Sequence, residues 1–319
     1  MRHTVLIVGL GQIGMGYDLH LDPAKIVYTH ARAFGVHPAF RLVGGVDPDE
    51  GRRACFVEAY GAPAYDEVGG AVAATRPDLV VIAVPTEFHH GVLQAVLAHA
   101  APRLILCEKP LSYDLGEAQA MVKACAAKGT KLQVNYMRRS DPGVVEIRRR
   151  IVAGEMGDEF KGVVWYSKGL FHTGSHFFNL VQYWLGPRQE SRLVRRGRDW
   201  DGRDPEPDAA LTFERGTVVF LAAWEEAFSH YTVELVSRRG RLRYEEGGKR
   251  IEWQATEPDP EVPCYTVLSA RRETIASGMD RYQWHVVEQL AQVLAGRPAE
   301  TCDGDEALQT LIGLNQILQ

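Results

Sequence analysis

The first 135 residues alternate short apolar runs with segments in which apolar residues recur at helical spacing. The apolar runs have the length of buried strands and lie at residues 5–8, 41–46, 79–84, 104–107 and 131–134. The segments between them predict helices at residues 50–60, 68–75, 90–100 and 115–128. Strands that alternate with helices are typical of βαβ units, so this half predicts a doubly wound parallel sheet covered on both faces, an α/β domain.

After about residue 135 the pattern changes to strand-like runs separated by short turns. The runs lie at residues 160–167, 209–213, 217–224, 231–236 and 241–244. Helices are predicted at residues 142–153, 282–295 and 305–318, and a loop around residues 200–207. This half predicts an α+β domain with an open, largely antiparallel sheet and helices on one face. A chain of 319 residues suits two domains, which we place at residues 1–134 and 135–319.

Composition and charge narrow the class of protein. Lys and Arg number 36 against 41 Asp and Glu, a net charge of −5, and this mild acidity argues against nucleic acid or an anionic membrane as partner. The five cysteines are scattered and form no CxxC pair, which favours reduced thiols in a cytoplasm over a disulfide framework or a four-cysteine zinc site. The apolar stretch near the N-terminus is too short for a signal peptide, and no stretch approaches the ~18 apolar residues of a membrane span.

A glycine motif directly follows the first predicted strand. The residues Gly9-Leu10-Gly11-Gln12-Ile13-Gly14 fit the pattern G-x-G-x-x-G, which permits a tight turn and close approach of the backbone to a pyrophosphate. The N-terminus of a following helix would favour the negative charge. The motif predicts a dinucleotide-binding Rossmann domain in which Gly9, Gly11, Gln12, Ile13 and Gly14 contact the cofactor.

Asp47 ends the second predicted strand. A carboxylate at this place can bond the ribose hydroxyls of NAD and repel the 2′-phosphate of NADP, so we favour NAD. Asp47 lies further along the chain than the ~20 residues usual for this fingerprint, which an insertion at residues 16–27 would explain. Two alternatives stay open: Asp47 caps the next turn, and the nearby Arg52 and Arg53 accept NADP.

Three further segments carry a resemblance. They are Val84-Pro85-Thr86-Glu87-Phe88-His89-His90, Cys107-Glu108-Lys109-Pro110 and Asn135-Tyr136-Met137-Arg138-Arg139. In this order and spacing, together with the glycine turn, they resemble the glucose–fructose oxidoreductase, inositol dehydrogenase and rhizopine-catabolism (Gfo/Idh/MocA) family. The resemblance covers most of the chain and implies an NAD(P)-dependent oxidoreductase.

The resemblance assigns roles to these segments. It places Lys109 near the nicotinamide and the reacting carbon, where an ammonium can bond a substrate hydroxyl and assist proton transfer. It implies that Glu108 touches the cofactor or orients Lys109, and that the bond from Lys109 to Pro110 is a candidate cis peptide. It also implies cofactor contacts for Val84, Pro85, Thr86, His89 and Asn135. Tyr136 and Arg138 are candidates for substrate contact, and packing or surface charge stays open as the alternative for each.

The second half departs from the family pattern at one segment. The family has Asp-x-Gly-x-His-x-x-Asp, and this chain has His172-Thr173-Gly174-Ser175-His176-Phe177-Phe178-Asn179. The resemblance implies that His176 is the general acid–base, with His172 and Asn179 shaping a polyol pocket. The spacing of His172 and His176 also suits zinc, but Gly174 is expected to interrupt the helix and no partner ligands follow, so we predict no metal.

These observations predict hydride transfer between nicotinamide and a secondary alcohol of a sugar, a sugar derivative or a cyclitol. Two rivals stay open. One is a family member that acts on a dihydrodiol, a tetrapyrrole or an imine. The other is a cofactor-binding sensor or scaffold without turnover, which the missing Asp positions motivate. From the resemblance we also expect a homodimer or homotetramer formed through the second sheet.

Overall fold

The computed structural model describes residues 2–319. The strands in chain order are β1 His3–Val8, β2 Phe40–Val46, β3 Ala64–Tyr65, β4 Leu79–Ile82, β5 Leu104–Cys107, β6 Lys131–Val134, β7 Phe160–Tyr166, β8 Arg188–Arg195, β9 Asp199–Trp200, β10 Asp204–Pro205, β11 Asp208–Phe213, β12 Gly216–Ala222, β13 Thr232–Ser237, β14 Gly240–Glu245, β15 Arg250–Pro258, β16 Thr266–Leu268, β17 Glu273–Thr274 and β18 Cys302–Asp303. The α-helices are α1 His30–Val36, α2 Glu50–Tyr60, α3 Val68–Thr75, α4 His89–His99, α5 Leu115–Ala127, α6 Pro142–Val152, α7 Ser175–Leu185, α8 Tyr282–Leu294 and α9 Gly304–Ile317.

The first compact unit is built on a seven-stranded sheet in the order β18-β6-β5-β4-β1-β2-β3. All of its pairings are parallel except that of the short edge strand β18 with β6. The strand order reverses between β1 and β4, and ligands of doubly wound sheets bind at the carboxyl ends of strands at such a switch point. The prediction of a parallel-sheet Rossmann domain is confirmed.

An insertion splits the first helix of this unit. The amides of Met15 and Gly16 donate to the Gly11 carbonyl, forming one helical turn after the glycine motif. The chain then leaves the helix path and returns at His30, whose amide donates to the Ile13 carbonyl over 3.1 Å. The predicted insertion at residues 16–27 is therefore confirmed. The regular helix α1 begins at His30, where the helix resumes after the insertion.

The first unit also contains a segment from near the end of the chain. The compact units are residues 1–140 with 280–309, and residues 141–279 with 310–319. Helix α8 joins the first unit because its apolar face, including Val286, Val287 and Leu290, is buried in the same core as β1 and α1. The single predicted boundary after residue 134 is therefore wrong, since hydrophobic burial brings a later helix back to the parallel sheet.

The second unit is built on a nine-stranded sheet. Eight strands follow the order β16-β15-β14-β13-β7-β12-β11-β8, and β17 pairs with β15 at one side. Only β12 and β7 are parallel neighbours, so the predicted open, largely antiparallel sheet is confirmed. Helix α7 carries the core of this unit, where Trp184, Phe177 and Phe178 are each at most 1% exposed.

Several strands of the second unit were not predicted. The edge strand β8 has the sequence RQESRLVR and is mostly exposed, so it lacks the alternation that marks a half-buried strand. Strand β15 has buried side chains only as far as Trp253 and is half-buried or exposed beyond it. The predicted loop around residues 200–207 contains a hairpin of the two-residue strands β9 and β10. Across residues 2–319 no helix is both long enough and apolar enough to span a bilayer.

Candidate active site

The glycine turn leaves room for a ligand at its second glycine. Gly9 has φ +96°, and a Cβ there would lie 2.5 Å from the Ala83 carbonyl oxygen, so β1 and the end of β4 approach too closely for another residue. A Cβ on Gly11 would meet only the Arg52 Nη1, at 4.0 Å. Gln12 is exposed, Ile13 is half-buried and Gly14 is buried. The space over Gly11 is the cradle that a dinucleotide pyrophosphate requires, so these residues fit the predicted cofactor.

Asp47 connects the end of β2 to this turn. Its side chain is buried, with Oδ2 accepting the Leu10 amide at 2.9 Å and Oδ1 accepting the Asp49 amide at 3.0 Å. Arg52 Nη1 lies 3.5 Å from Oδ2 and is half exposed. The carboxylate therefore braces the glycine turn and caps the turn that follows β2, which was the alternative left open. Its contact with a ribose stays a prediction.

The segment after β4 divides into accessible and buried residues. Pro85 is exposed, and Val84 and Thr86 are half-buried, so these three stay candidates for cofactor contact. His89 is fully buried, and its ring nitrogens lie 3.0–3.2 Å from the carbonyl oxygens of Val84, Pro110 and Leu111. The prediction that His89 contacts cofactor is therefore wrong, because its ring ties the loop after β4 to the loop after β5. Burial lowers the pKa of His89 below its usual 6.5.

Glu108 and Lys109 lie directly after β5, at the same sheet edge. The Glu108 side chain is 12% exposed, and its Oε1 accepts hydrogen bonds from His30 Nε2 at 2.8 Å and from Asn135 Nδ2 at 2.7 Å. Its Oε2 accepts the Lys109 amide at 3.3 Å. Lys109 is half-buried, and the peptide bond to Pro110 is cis, as predicted.

The electrostatics of this edge favour a charged Glu108. Burial opposes ionisation of Glu108 and by itself would raise its pKa. Three neighbours outweigh burial and hold the pKa of Glu108 below 4.5: His30 through its hydrogen bond and charge, Asn135 through its amide, and Lys109 through its charge. The neighbouring Tyr282 hydroxyl has a raised pKa, because it is buried and faces the negative charges of Glu108 and Asp18. Glu108 is thus a carboxylate at neutral pH and Tyr282 a neutral phenol.

Asn135, Tyr136 and Arg138 follow β6. Asn135 is 4% exposed and its amide group bridges Glu108 and Gln283 of α8, the latter at 3.4 Å. Tyr136 and Arg138 are 4% and 8% exposed. Asn135 therefore belongs to the group that surrounds Glu108. The predicted substrate contacts of Tyr136 and Arg138 depend on the small part of each side chain that is accessible.

In the second unit, His172 and His176 lie on one continuous helical segment. A π-helical turn at Gly169–Gly174 leads directly into α7, and Gly174 has helical φ −55° and ψ −35°. The expectation that Gly174 interrupts the helix is wrong. His176 is 8% exposed and His172 is half-buried. Within residues 2–319, no cluster of three or more His, Cys, Asp or Glu side chains is placed to hold a metal ion.

Two carboxylates from the β9–β10 region hold this helical segment. Asp204 Oδ1 accepts the Phe171 amide at 2.9 Å, and Oδ2 accepts the His172 amide at 2.7 Å. Glu206 Oε1 accepts the Gly169 amide at 3.1 Å. Because the first amides of a helix have no partner within it, these carboxylates set where the segment begins and how His172 is presented.

The surroundings of His172 and Asn179 differ from those expected of residues that line a polyol pocket. The ring of His172 stacks on Trp200, with centroids 5.0 Å apart and planes at 28°. Asn179 is 1% exposed and its Nδ2 donates to the Thr310 hydroxyl of α9 at 2.9 Å. The predicted contact of Asn179 with substrate is therefore wrong, because a neutral amide at this position joins two helices in the core.

Sequence reasoning missed four residues that shape these sites: His30, Trp200, Asp204 and Glu206. The last three fall in a stretch rich in Gly, Pro and charge that predicted a loop, and their role depends on a fold-back onto residues 169–172. The sequence around His30 gives no sign of its partner Glu108, which lies 78 residues away. The one available signal was the lone aromatic Trp200 in an otherwise polar loop.

Comparisons with known proteins agree with this architecture. Residues 3–136 match the sequence model of an oxidoreductase family described as having an NAD-binding Rossmann fold. The chain is 37% identical over 203 residues to inositol 2-dehydrogenase of Corynebacterium glutamicum. This match covers 59% of this chain and 56% of that protein. It is 29% identical over 204 residues to scyllo-inositol 2-dehydrogenase (NAD(+)) of Bacillus subtilis, covering 58% and 55%. The matches thus span little more than half the length of these relatives.

A solved structure extends the likeness to the whole fold. The WlbA dehydrogenase of Bordetella pertussis, solved in complex with NADH and UDP-GlcNAcA, has a TM-score of 0.75 and 18% identity, covering 99% of this chain and 94% of that one. This likeness shows the fold of both units. Taken with the glycine turn, the family match leads to one conclusion: the first unit carries the NAD-binding Rossmann domain of the Gfo/Idh/MocA oxidoreductase family.

Proposed function

We propose that this protein oxidises a secondary alcohol of a sugar, a sugar derivative or a cyclitol, with NAD as the hydride acceptor. The observation that carries the proposal is the shared sheet edge of the first unit. There the open space over Gly11 follows β1, and Glu108 and Lys109 follow β5. The inositol dehydrogenases among the relatives support the polyol class.

Lys109 and His176 are the proposed catalytic residues. Lys109 would donate a hydrogen bond from its ammonium to the substrate oxygen and stabilise negative charge that develops there. His176 would accept the hydroxyl proton, since an imidazole titrates near neutrality. When bound, NAD supplies the electrophilic nicotinamide carbon that takes the hydride.

Other residues of the proposed site bind rather than react. Gly9, Gly11, Gln12, Ile13 and Gly14 would hold the dinucleotide through backbone contacts, and Asp47 would face its ribose. Val84, Pro85, Thr86 and Asn135 would also contact the cofactor. His172 with Trp200 would offer an aromatic face to the apolar side of a sugar ring, with Tyr136 and Arg138 as polar contacts.

We also propose a cytoplasmic homodimer or homotetramer that forms through the sheet of the second unit. Two apolar side chains on that sheet, Val194 and Val236, are 59% and 44% exposed and would be available for burial in such an interface. Size-exclusion chromatography with light scattering measures the mass in solution. A monomer at all concentrations would contradict this part of the proposal.

The activity is tested with the purified full chain, NAD and a panel of sugars, sugar acids, nucleotide sugars and cyclitols that includes myo-inositol. Formation of reduced nicotinamide is followed by absorbance, and NAD binding is measured separately by calorimetry. We expect turnover of at least one polyol. Bound NAD with no turnover across the panel would overturn the proposal.

A further inference from the structure

Glu108 lies in a buried group of polar side chains that the proposed chemistry does not use directly. The group consists of His30 on α1, Asn135 after β6 and Gln283 on α8, and each is at most 4% exposed. All three belong to the first unit. A buried carboxylate is stable only when donors compensate its lost hydration, so these side chains determine whether Glu108 can stay charged and where it points.

The donor arrangement follows from the chemistry of the atoms. An ionised carboxylate only accepts hydrogen bonds, so His30 Nε2 must carry the hydrogen that faces Glu108 Oε1 at 2.8 Å. The same argument orients the Asn135 amide with its NH₂ toward that oxygen, at 2.7 Å. Gln283 lies beside both donors. Its Nε2 is 3.3 Å from His30 Nε2, and its Oε1 accepts a hydrogen bond from Asn135 Nδ2 at 3.4 Å. One oxygen of Glu108 is therefore held from two directions.

The other oxygen of Glu108 faces Lys109. Oε2 accepts the Lys109 backbone amide at 3.3 Å, and the Lys109 charge is close enough to lower the pKa of Glu108. Rotation of the carboxylate would change both this hydrogen bond and the field at the Lys109 ammonium. Since His30 and Asn135 hold the opposite oxygen, they limit that rotation.

We propose that His30 is a positioning residue, which acts on Lys109 by holding the Glu108 carboxylate. The proposal rests on the proposed function, because it takes Lys109 as the residue that contacts substrate. His30 itself touches neither substrate nor cofactor in this proposal. Its 0% exposure and its bond to Glu108 are the observations that carry it.

The chain offers a matched control on the same helix. His37 lies directly after α1 and, like His30, contacts a glutamate. Its Nε2 is 3.0 Å from Oε2 of Glu288, a residue of α8. It is 4% exposed, whereas the Glu288 side chain is 48% exposed. The two histidines therefore have similar burial and each contacts a glutamate, but only the glutamate bound by His30 adjoins Lys109.

The kinetic experiment compares His30→Leu, His30→Gln and His37→Leu with the unchanged chain, using NAD and myo-inositol or the best substrate of the panel. His30→Leu removes the donor, and we expect kcat to fall about 10- to 100-fold, the penalty for a misplaced reacting group. KM and the NAD dissociation constant should change by less than about threefold, under 1 kcal/mol. His30→Gln keeps an N–H donor near the Nε2 position and should recover most of kcat. His37→Leu should keep kcat while losing thermal stability.

A second measurement does not depend on turnover. Competitive acetylation with acetic anhydride, read by mass spectrometry on the tryptic peptide of residues 104–123, reports the reactivity of Lys109 directly. We expect His30→Leu to change that reactivity by about threefold, because a rotated Glu108 carboxylate changes the field at the ammonium. His37→Leu and His30→Gln should leave it unchanged.

The outcomes separate the two proposals. Full kcat and unchanged Lys109 reactivity in His30→Leu would overturn the positioning role while the oxidoreductase activity stands. An equal loss of kcat in His37→Leu would also overturn it, because the effect would then be general destabilisation. If the unchanged chain turns over no substrate, the proposed function fails, and Lys109 acetylation alone decides whether His30 positions Lys109.

Discussion

Two carboxylates, one in each unit, support candidate site residues in different ways. Glu108 accepts hydrogen bonds mainly from side chains, those of His30 and Asn135. Asp204 accepts the backbone amides of Phe171 and His172. Side-chain donors can be removed one at a time by substitution, whereas backbone donors cannot. The surroundings of Lys109 are therefore sensitive to mutation at several positions, and those of His172 mainly to mutation of Asp204 itself.

The two units differ in how far their motifs depart from the family pattern. In the second unit the position of the first family Asp is His172, yet a carboxylate from the β9–β10 region bonds the backbone at that same residue. In the first unit the motif residues stand unchanged, and distant side chains surround them. The carboxylate at His172 thus comes from a distant hairpin, whereas Glu108 stands within its own motif.

The largest effect should come from removing the ammonium of the first unit. Lys109→Ala is expected to lower kcat by about a thousandfold, within the range of one general acid–base or hydrogen-bonding group. The glycine turn should still bind NAD with an unchanged dissociation constant, measured by calorimetry. Turnover near that of the unchanged chain would show that Lys109 takes no part in the reaction. The side chains around Glu108 would then have no role in catalysis through Lys109.

A smaller effect is expected from the carboxylate of the second unit. In Asp204→Asn, the NH₂ of the new amide must face a backbone N–H, so we expect a loss of about 1–3 kcal/mol in the free energy of unfolding. Urea denaturation measures it, and kcat should fall because the backbone at His172 shifts.

Asp201→Asn serves as the control for this substitution, since Asp201 is exposed in the turn of the same hairpin. It should leave both stability and kcat unchanged. If Asp204→Asn is as stable as the unchanged chain, the contrast between the two carboxylates fails.

The smallest effect should be a change in acid sensitivity through His89. Its folded-state pKa lies below 6.5, so between that pKa and 6.5 the unfolded chain binds more protons and stability falls as the pH falls. In His89→Asn this contribution is absent, and the loss of unfolding free energy between about pH 7.5 and pH 5.5 should be smaller than in the unchanged chain. Urea titrations at both pH values measure it, and an identical loss would show that His89 does not titrate in this window.

The sequence alone determined the main alternation of strands and helices in the first unit, the glycine turn, the insertion before α1 and the place of Glu108 and Lys109 after β5. These features depend on local periodicity and on short motifs, which neighbouring residues carry.

Only the tertiary structure decided which of the predicted residues are accessible and what surrounds them. His89 and Asn179 match a site pattern yet are buried in structural contacts, and α8 returns to the first unit. The partners of Glu108 come from 78 and 27 residues away, and Asp204 acts on a residue 32 positions earlier. Such pairings arise when distant segments bury polar groups together, because each buried charge or amide must find a partner wherever the packing places one.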